Sequence, residues 1–151
     1  MKKLIAKLWL LNVLFLIFCS RNLDTDELVL EITKTDKAMS ELAVKEGFFM
    51  AVLYYADDNI VKLSDGSFPV IGKQEFEKLY ANQAGPKTLT WEPVKAEVAR
   101  SGELGYSWGN WKFVKTDTTF YGNYFTVWKR QKDGKWKVAL DGGNSTPALE
   151  D

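Results

Sequence analysis

From Leu28 the apolar residues Leu28, Ile32, Met39, Ala43 and Met50 return near one angular position at the α-helical period, while Lys34, Lys37, Glu41 and Lys45 gather opposite. This pattern predicts an amphipathic helix, with Asp24 or Thr25 as its cap and Gly47 as its end or kink. Residues 48–55 fall out of that register and read as a second, short helix. A strand over 59–63, a turn over 64–67 and an edge piece over 69–72 follow, then a third helix over 73–82 carrying Phe76, Leu79 and Tyr80 on one side. Beyond the break 83–86 the helical period gives way to four strand-like segments, near 88–100, 104–115, 120–132 and 135–142. Helices first and an antiparallel meander afterwards predict an α+β domain, its helices laid against one face of a curved sheet.

Asp133-Gly134 between two alternating runs predicts a two-residue hairpin turn, which pairs Thr126 with Asp141, Val127 with Leu140 and Lys129 with Val138. Phe125, Val127, Trp136, Val138 and Leu140 then share a core face, and Tyr124, Thr126, Trp128, Ala139 and Asp141 the other. A turn at Ser101-Gly102 likewise groups Val94, Ala96, Val98, Ser107, Trp111 and Phe113 against Trp91, Lys95, Glu97, Tyr106, Trp108 and Asn110. The second face of each hairpin is aromatic yet polar. It reads either as the lining of a pocket or as a sheet surface covered by a second copy of the chain, and the long lysine and glutamate neighbours favour the dimer surface.

The chain has 151 residues, enough for one packed domain, with no histidine and a single cysteine. Histidine triads, cysteine–histidine pairs, the usual zinc ligand sets and an intrachain disulfide are thereby excluded. Carboxylate-only metal binding stays formally open through Asp57, Asp58 and Asp65, although their spacings match no calcium loop; neither a metal nor a cofactor is expected. Lys2, Lys3 and Lys7 precede the apolar run 8–18, which is short for a membrane span and reads as a signal peptide over 1–18. Cys19, directly after that run, resembles the lipid-attachment cysteine of bacterial lipoproteins, although bulky Phe18 departs from the small residue that pattern prefers. The expectation is an exported protein of the cell envelope, lipid-anchored or periplasmic, with 19–27 as a tether, 28–145 as the domain and 146–151 as a frayed tail. Without 1–18 the chain keeps 17 basic against 20 acidic residues, a net charge of −3 with the lysines scattered, so no nucleic-acid partner is expected.

The runs Leu89-Thr90-Trp91-Glu92-Pro93-Val94, Ser101-Gly102-Glu103-Leu104-Gly105-Tyr106, Tyr124-Phe125-Thr126-Val127-Trp128 and Asp133-Gly134-Lys135-Trp136-Lys137-Val138, with Asp141, closely resemble the ketosteroid-isomerase-like (SnoaL-like) group of the nuclear-transport-factor-2-like superfamily. The resemblance implies a cone: a strongly bent antiparallel, cystatin-like sheet wrapped around about three helices, with a pocket inside and frequent homodimers through the sheets. For activity it implies little, because the superfamily holds isomerases, cyclases, dehydratases and non-catalytic binders. Asp36, a carboxylate inside the apolar stripe of the first helix, is the best acid–base candidate, because desolvation would raise its pKa; the other reading has it capping a loop or bonded to a buried tyrosine. Glu46, also in that stripe, reads as structural. Asp141 is the second catalytic candidate, and Tyr55, Tyr106, Trp108, Trp111, Tyr124 and Trp128 are candidates for a ligand site or a dimer surface. The leading expectation is a domain binding a small apolar molecule. The alternatives are a cofactor-independent isomerase, hydratase or cyclase, and a structural dimerisation module.

Overall fold

The computed structural model describes residues 24–148; the expectations for the signal peptide, Cys19 and the start of the tether lie outside the described residues. Helix α1 (Thr25–Glu46) begins where the Asp24 carboxylate accepts from the N–H groups of Asp26 and Glu27 at 3.0 and 3.4 Å. That cap starts the helix three residues before the first apolar position of the stripe. Gly47, at φ 107°, ends it, and α2 (Phe48–Tyr55) leaves in a new direction. A side chain at Gly47 would also collide with the backbone of Ala84, so conformation and space both require glycine. A third helix, α3 (Lys73–Tyr80), carries Phe76 into the core.

The six strands are β1 (Ala56–Lys62), β2 (Val70–Ile71), β3 (Leu89–Val98), β4 (Leu104–Lys115), β5 (Thr118–Arg130) and β6 (Trp136–Thr146), in the order β2-β1-β6-β5-β4-β3. The sheet is mixed rather than purely antiparallel. The chain leaves β1, crosses through α3, runs the β3–β5 meander and returns with β6 beside β1 in the same direction. Strand β6 pairs Thr146 with Tyr121, four residues past its expected end, because the ladder with β5 continues through Gly142 and Gly143. The core gathers Leu28, Ile32, Met39 and Ala43 of α1 against Ala51, Val52, Phe76, Trp91, Trp128, Trp136 and Val138.

Two bulges change the faces expected from alternation. The β5–β6 turn has three residues, not two: Gly134 N–H donates to Gln131 O, Gln131 N–H donates to Lys135 O, and Gly134 sits at φ 84°. This moves the pairing near the turn to Arg130 with Trp136 and Trp128 with Val138. An extra residue at Ala139 then restores the expected Val127–Leu140 and Thr126–Asp141 pairs. Trp136 and Val138 therefore face inward as expected, but so do Trp128, Thr126 and Asp141, while Phe125 is on the outside. In β3 an extra residue at Val94 has the same effect: Trp91 turns inward beside Ala96 and Val98, and Val94 is exposed. The aromatic–polar face expected from sequence is thus two surfaces, with Trp91, Tyr124 and Trp128 inside the cone and Tyr106 and Trp108 outside it.

Candidate ligand pocket

Strand pairing sets the inner face in rows. Trp91, Trp111 and Gly122 form one; Pro93, Gly109, Tyr124 and Gly143 the next; Ala96, Ser107, Thr126, Asp141 and Lys62 the third; Val98, Gly105, Trp128, Val138 and Ala56 the fourth. Each row with a large aromatic holds a glycine beside it. A Cβ on Gly122 would stand 2.3 Å from the Trp111 ring, and one on Gly105 would stand 2.4 Å from Ile32 of α1. Small residues in the sheet thus make room for the wide rings, beside which lies a cavity of about 280 Å³. Its apolar walls are Met39, Phe48, Leu89, Trp91, Trp111 and Phe113, and Phe48 meets the Trp91 ring edge-to-face at 6.0 Å between centroids.

One end of the cavity is polar. Lys62 Nζ lies 2.7 Å from Asp141 Oδ1, both side chains being nearly closed to solvent, and Asp141 Oδ2 accepts from the Thr126 hydroxyl at 3.0 Å. Lys62 also donates to the carbonyl of Leu63 at 2.7 Å and lies 5.7 Å from the Phe48 ring centre. Sequence reasoning missed Lys62. The available signal was period two: Ile60 is buried, so the residue two positions on faces the same side.

Asp36 is fully buried behind this cavity. Trp91 Nε1–H donates to its Oδ1 at 2.7 Å and the Tyr124 hydroxyl donates to its Oδ2 at 2.8 Å. The Ser107 hydroxyl, which accepts from Trp128 Nε1 at 2.8 Å, is a further partner. Burial pushes the Asp36 pKa up; the bonds from Ser107, Trp91 and Tyr124 pull it down without cancelling the burial, and the charge of Asp141 adds to the rise. Burial and the Asp36 carboxylate together push the Tyr124 phenol far above its ordinary value, so it remains a donor at any physiological pH.

The structure brings Asp141, Trp111 and Tyr124 together on the cavity wall and sets Asp36 directly behind Tyr124. Trp128 is fully buried and bonded to Ser107, beneath the pocket rather than on a surface. Tyr106 and Trp108 are half-exposed on the outer face. Tyr55 packs edge-on against Trp128 and lines a separate, shallower surface hollow with Tyr54 and Lys137. Glu46 is exposed beside Lys45, and Asp57 holds Gln131, Lys129 and the Asn59 amide. Among the described residues no group of three or more His, Cys, Asp or Glu side chains gathers as a metal site, and no helix is long and apolar enough to cross a membrane.

No protein-family model and no curated protein sequence matches the chain. Solved structures do. The fold is similar to that of a ketosteroid isomerase-like protein from Erwinia carotovora atroseptica, at 16% identity over 77% of this chain and 95% of that one, with a TM-score of 0.63. A nuclear-transport-factor-2-like protein of unknown function from Pseudomonas putida is similar at 16% identity, 84% and 99% coverage and a TM-score of 0.61. The CaMKII hub of S. rosetta is similar at 16% identity, 78% and 96% coverage and a TM-score of 0.59. At such identities the likeness speaks for architecture alone, and on that ground the chain has the α+β cone fold of the ketosteroid isomerase-like and nuclear-transport-factor-2-like proteins.

Proposed function

We propose that this chain is an exported binding domain, anchored to the cell envelope by a lipid on Cys19, that takes a small, flat, largely apolar molecule into its cone. The observation that carries the binding reading is the cavity of about 280 Å³, walled by aromatic rings and edged by Lys62, Asp141, Ser64, Asp65, Asn144 and Ser145. That is the composition of a small-molecule site, near the lower end of ligand-pocket sizes, and such a hollow is costly to leave unfilled. Replacing Leu89, which lines the cavity, with Trp fills it with a ring and adds one indole N–H. Naphthalene should bind the wild-type chain and not Leu89→Trp; equal binding to both removes the reading. Export and anchoring rest on the basic start, the apolar run 8–18 and Cys19. In a bacterial host, Cys19→Ser should release the chain from the membrane fraction; an unchanged membrane fraction removes the lipid anchor.

The outer face supports a homodimer. Tyr106, Trp108 and Phe125 are half-exposed together, because Trp108 pairs with Phe125 and Tyr106 with Val127. The Lys95–Glu97 ion pair and the Asn110–Asn123 hydrogen bond flank them as a polar rim.

A cofactor-independent isomerase, hydratase or cyclase is the second reading, and the Asp36–Tyr124 pair favours it: with Asp36 protonated and donating to the phenol oxygen, Tyr124, which lines the cavity, is free to donate its one proton to a developing oxyanion. Direct proton abstraction by Asp36 is the weaker part of that reading. Asp36 is fully buried behind Trp91 and Tyr124 and the Trp91 indole can only donate, so a proton would have to pass through Tyr124.

A further inference from the structure

We infer that Lys62 and Asp141 form the recognition element of the cavity and that the molecule it takes is uncharged and carries a hydroxyl group, as a phenol or cyclic alcohol does. The inference rests on the binding reading above and adds the chemical class of the occupant. Of the three protons on the Lys62 ammonium, one goes to Asp141 Oδ1 and one to Leu63 O, which leaves one for the cavity that both residues line. Asp141 accepts from Lys62 and from Thr126 and keeps lone pairs on both oxygens. The cavity's polar end therefore offers a donor and an acceptor side by side.

A hydroxyl group answers both at once, accepting from Lys62 and donating to Asp141. A carboxylate is disfavoured, because the Lys62 charge is already compensated at 2.7 Å and the incoming anion would meet Asp141 in a nearly dry site. A plain hydrocarbon is disfavoured as well, since it would leave a charged donor facing apolar surface without a partner. The register fixes this arrangement. Lys62, Asp141 and Thr126 stand opposite one another on three adjacent strands, so the pair is held by backbone pairing rather than by a mobile loop.

The test uses the full chain at neutral pH and three probes of one shape: naphthalene, 2-naphthol and 2-naphthoate. Binding is followed by the indole N–H signals of Trp91 and Trp111 in NMR titrations. For the wild-type chain 2-naphthol should bind about tenfold more tightly than naphthalene, as one charge-assisted hydrogen bond allows, and 2-naphthoate no more tightly than naphthalene. In Asp141→Asn the ammonium loses its counter-charge, and 2-naphthoate should overtake 2-naphthol. In Lys62→Met the advantage of 2-naphthol over naphthalene should vanish while naphthalene still binds, which keeps the inference testable if Asp141→Asn does not fold. Equal wild-type affinity for naphthalene and 2-naphthol, a wild-type preference for 2-naphthoate, or an unchanged order in a folded Asp141→Asn protein overturns the inference and leaves the pocket standing. Failure of all three probes to bind overturns the pocket reading itself.

Discussion

The Tyr124 hydroxyl donates to Asp36 Oδ2 at 2.8 Å, tying the middle of the fifth strand to the first helix across 88 positions of sequence. With the Trp91 indole on the other carboxyl oxygen, the bond makes a buried carboxyl group the point at which helix, third strand and fifth strand meet. Tyr124→Phe deletes one donor and leaves the carboxylate buried. It should lower the unfolding free energy by about 1–3 kcal/mol and raise the Asp36 pKa further. Urea unfolding and carboxyl carbon NMR read the two effects, and an unchanged Asp36 titration would show that the bond does not form in solution.

The raised pKa of Asp36 also fixes a pH dependence. The folded protein holds this proton more tightly than the unfolded chain, so the contribution of Asp36 is fully present below the unfolded carboxylate value, about pH 4, and is lost as pH rises through the folded value. Asp57 runs the other way: burial alone would raise its pKa, but the Asn59 amide, Gln131 and Lys129 hold it below the ordinary range. Comparison of wild type with Asp36→Asn cancels the Asp57 part. The stability difference in favour of wild type should shrink from pH 4 toward pH 7, and a difference that grows over that range contradicts the assignment.

Close approach at Gly105 gives a steric prediction. Its Cβ position lies 2.4 Å from Ile32 Cδ1 and 2.7 Å from the carbonyl of Glu97. Gly105→Ala should therefore cost about 1–3 kcal/mol, the usual range for overpacking, because the backbone partner cannot give way as a side chain would. A thermal-unfolding midpoint equal to wild type would mean that helix α1 does not press on the sheet there.

The outer face gives a prediction about assembly. Trp108→Asp, an exposed change on a half-exposed residue, should convert a dimer to a monomer in sedimentation experiments with little change in unfolding temperature. A dimer that survives it rules out this face. Trp128, which alternation assigned to the same surface, lies inside, so Trp128→Ala should instead cost about 3–5 kcal/mol of stability.

Alternation and helical period made the elements legible, and failed at the bulges. The helices over 25–46 and 48–55 and the break at Gly47 follow from periodicity, and Asp36 drew notice because a carboxylate stood in an apolar stripe. Val94 and Ala139 carry no mark of the extra residue they insert, since any side chain can occupy a bulge, and each reverses the faces beyond it. Three aromatics, Trp91, Tyr124 and Trp128, therefore exchanged a surface for the interior. Lys62 was illegible for another reason: a lysine ordinarily faces water, and only its place in register beside Asp141 reveals its partner.

The central claim is that the cone holds a small molecule. Native mass spectrometry of residues 20–151, purified from the protein's own host without detergent, tests it directly, with Leu89→Trp as the filled control. The account predicts a discrete added mass on the wild-type protein that is missing from the variant. An identical spectrum for the two proteins, empty or loaded alike, contradicts it.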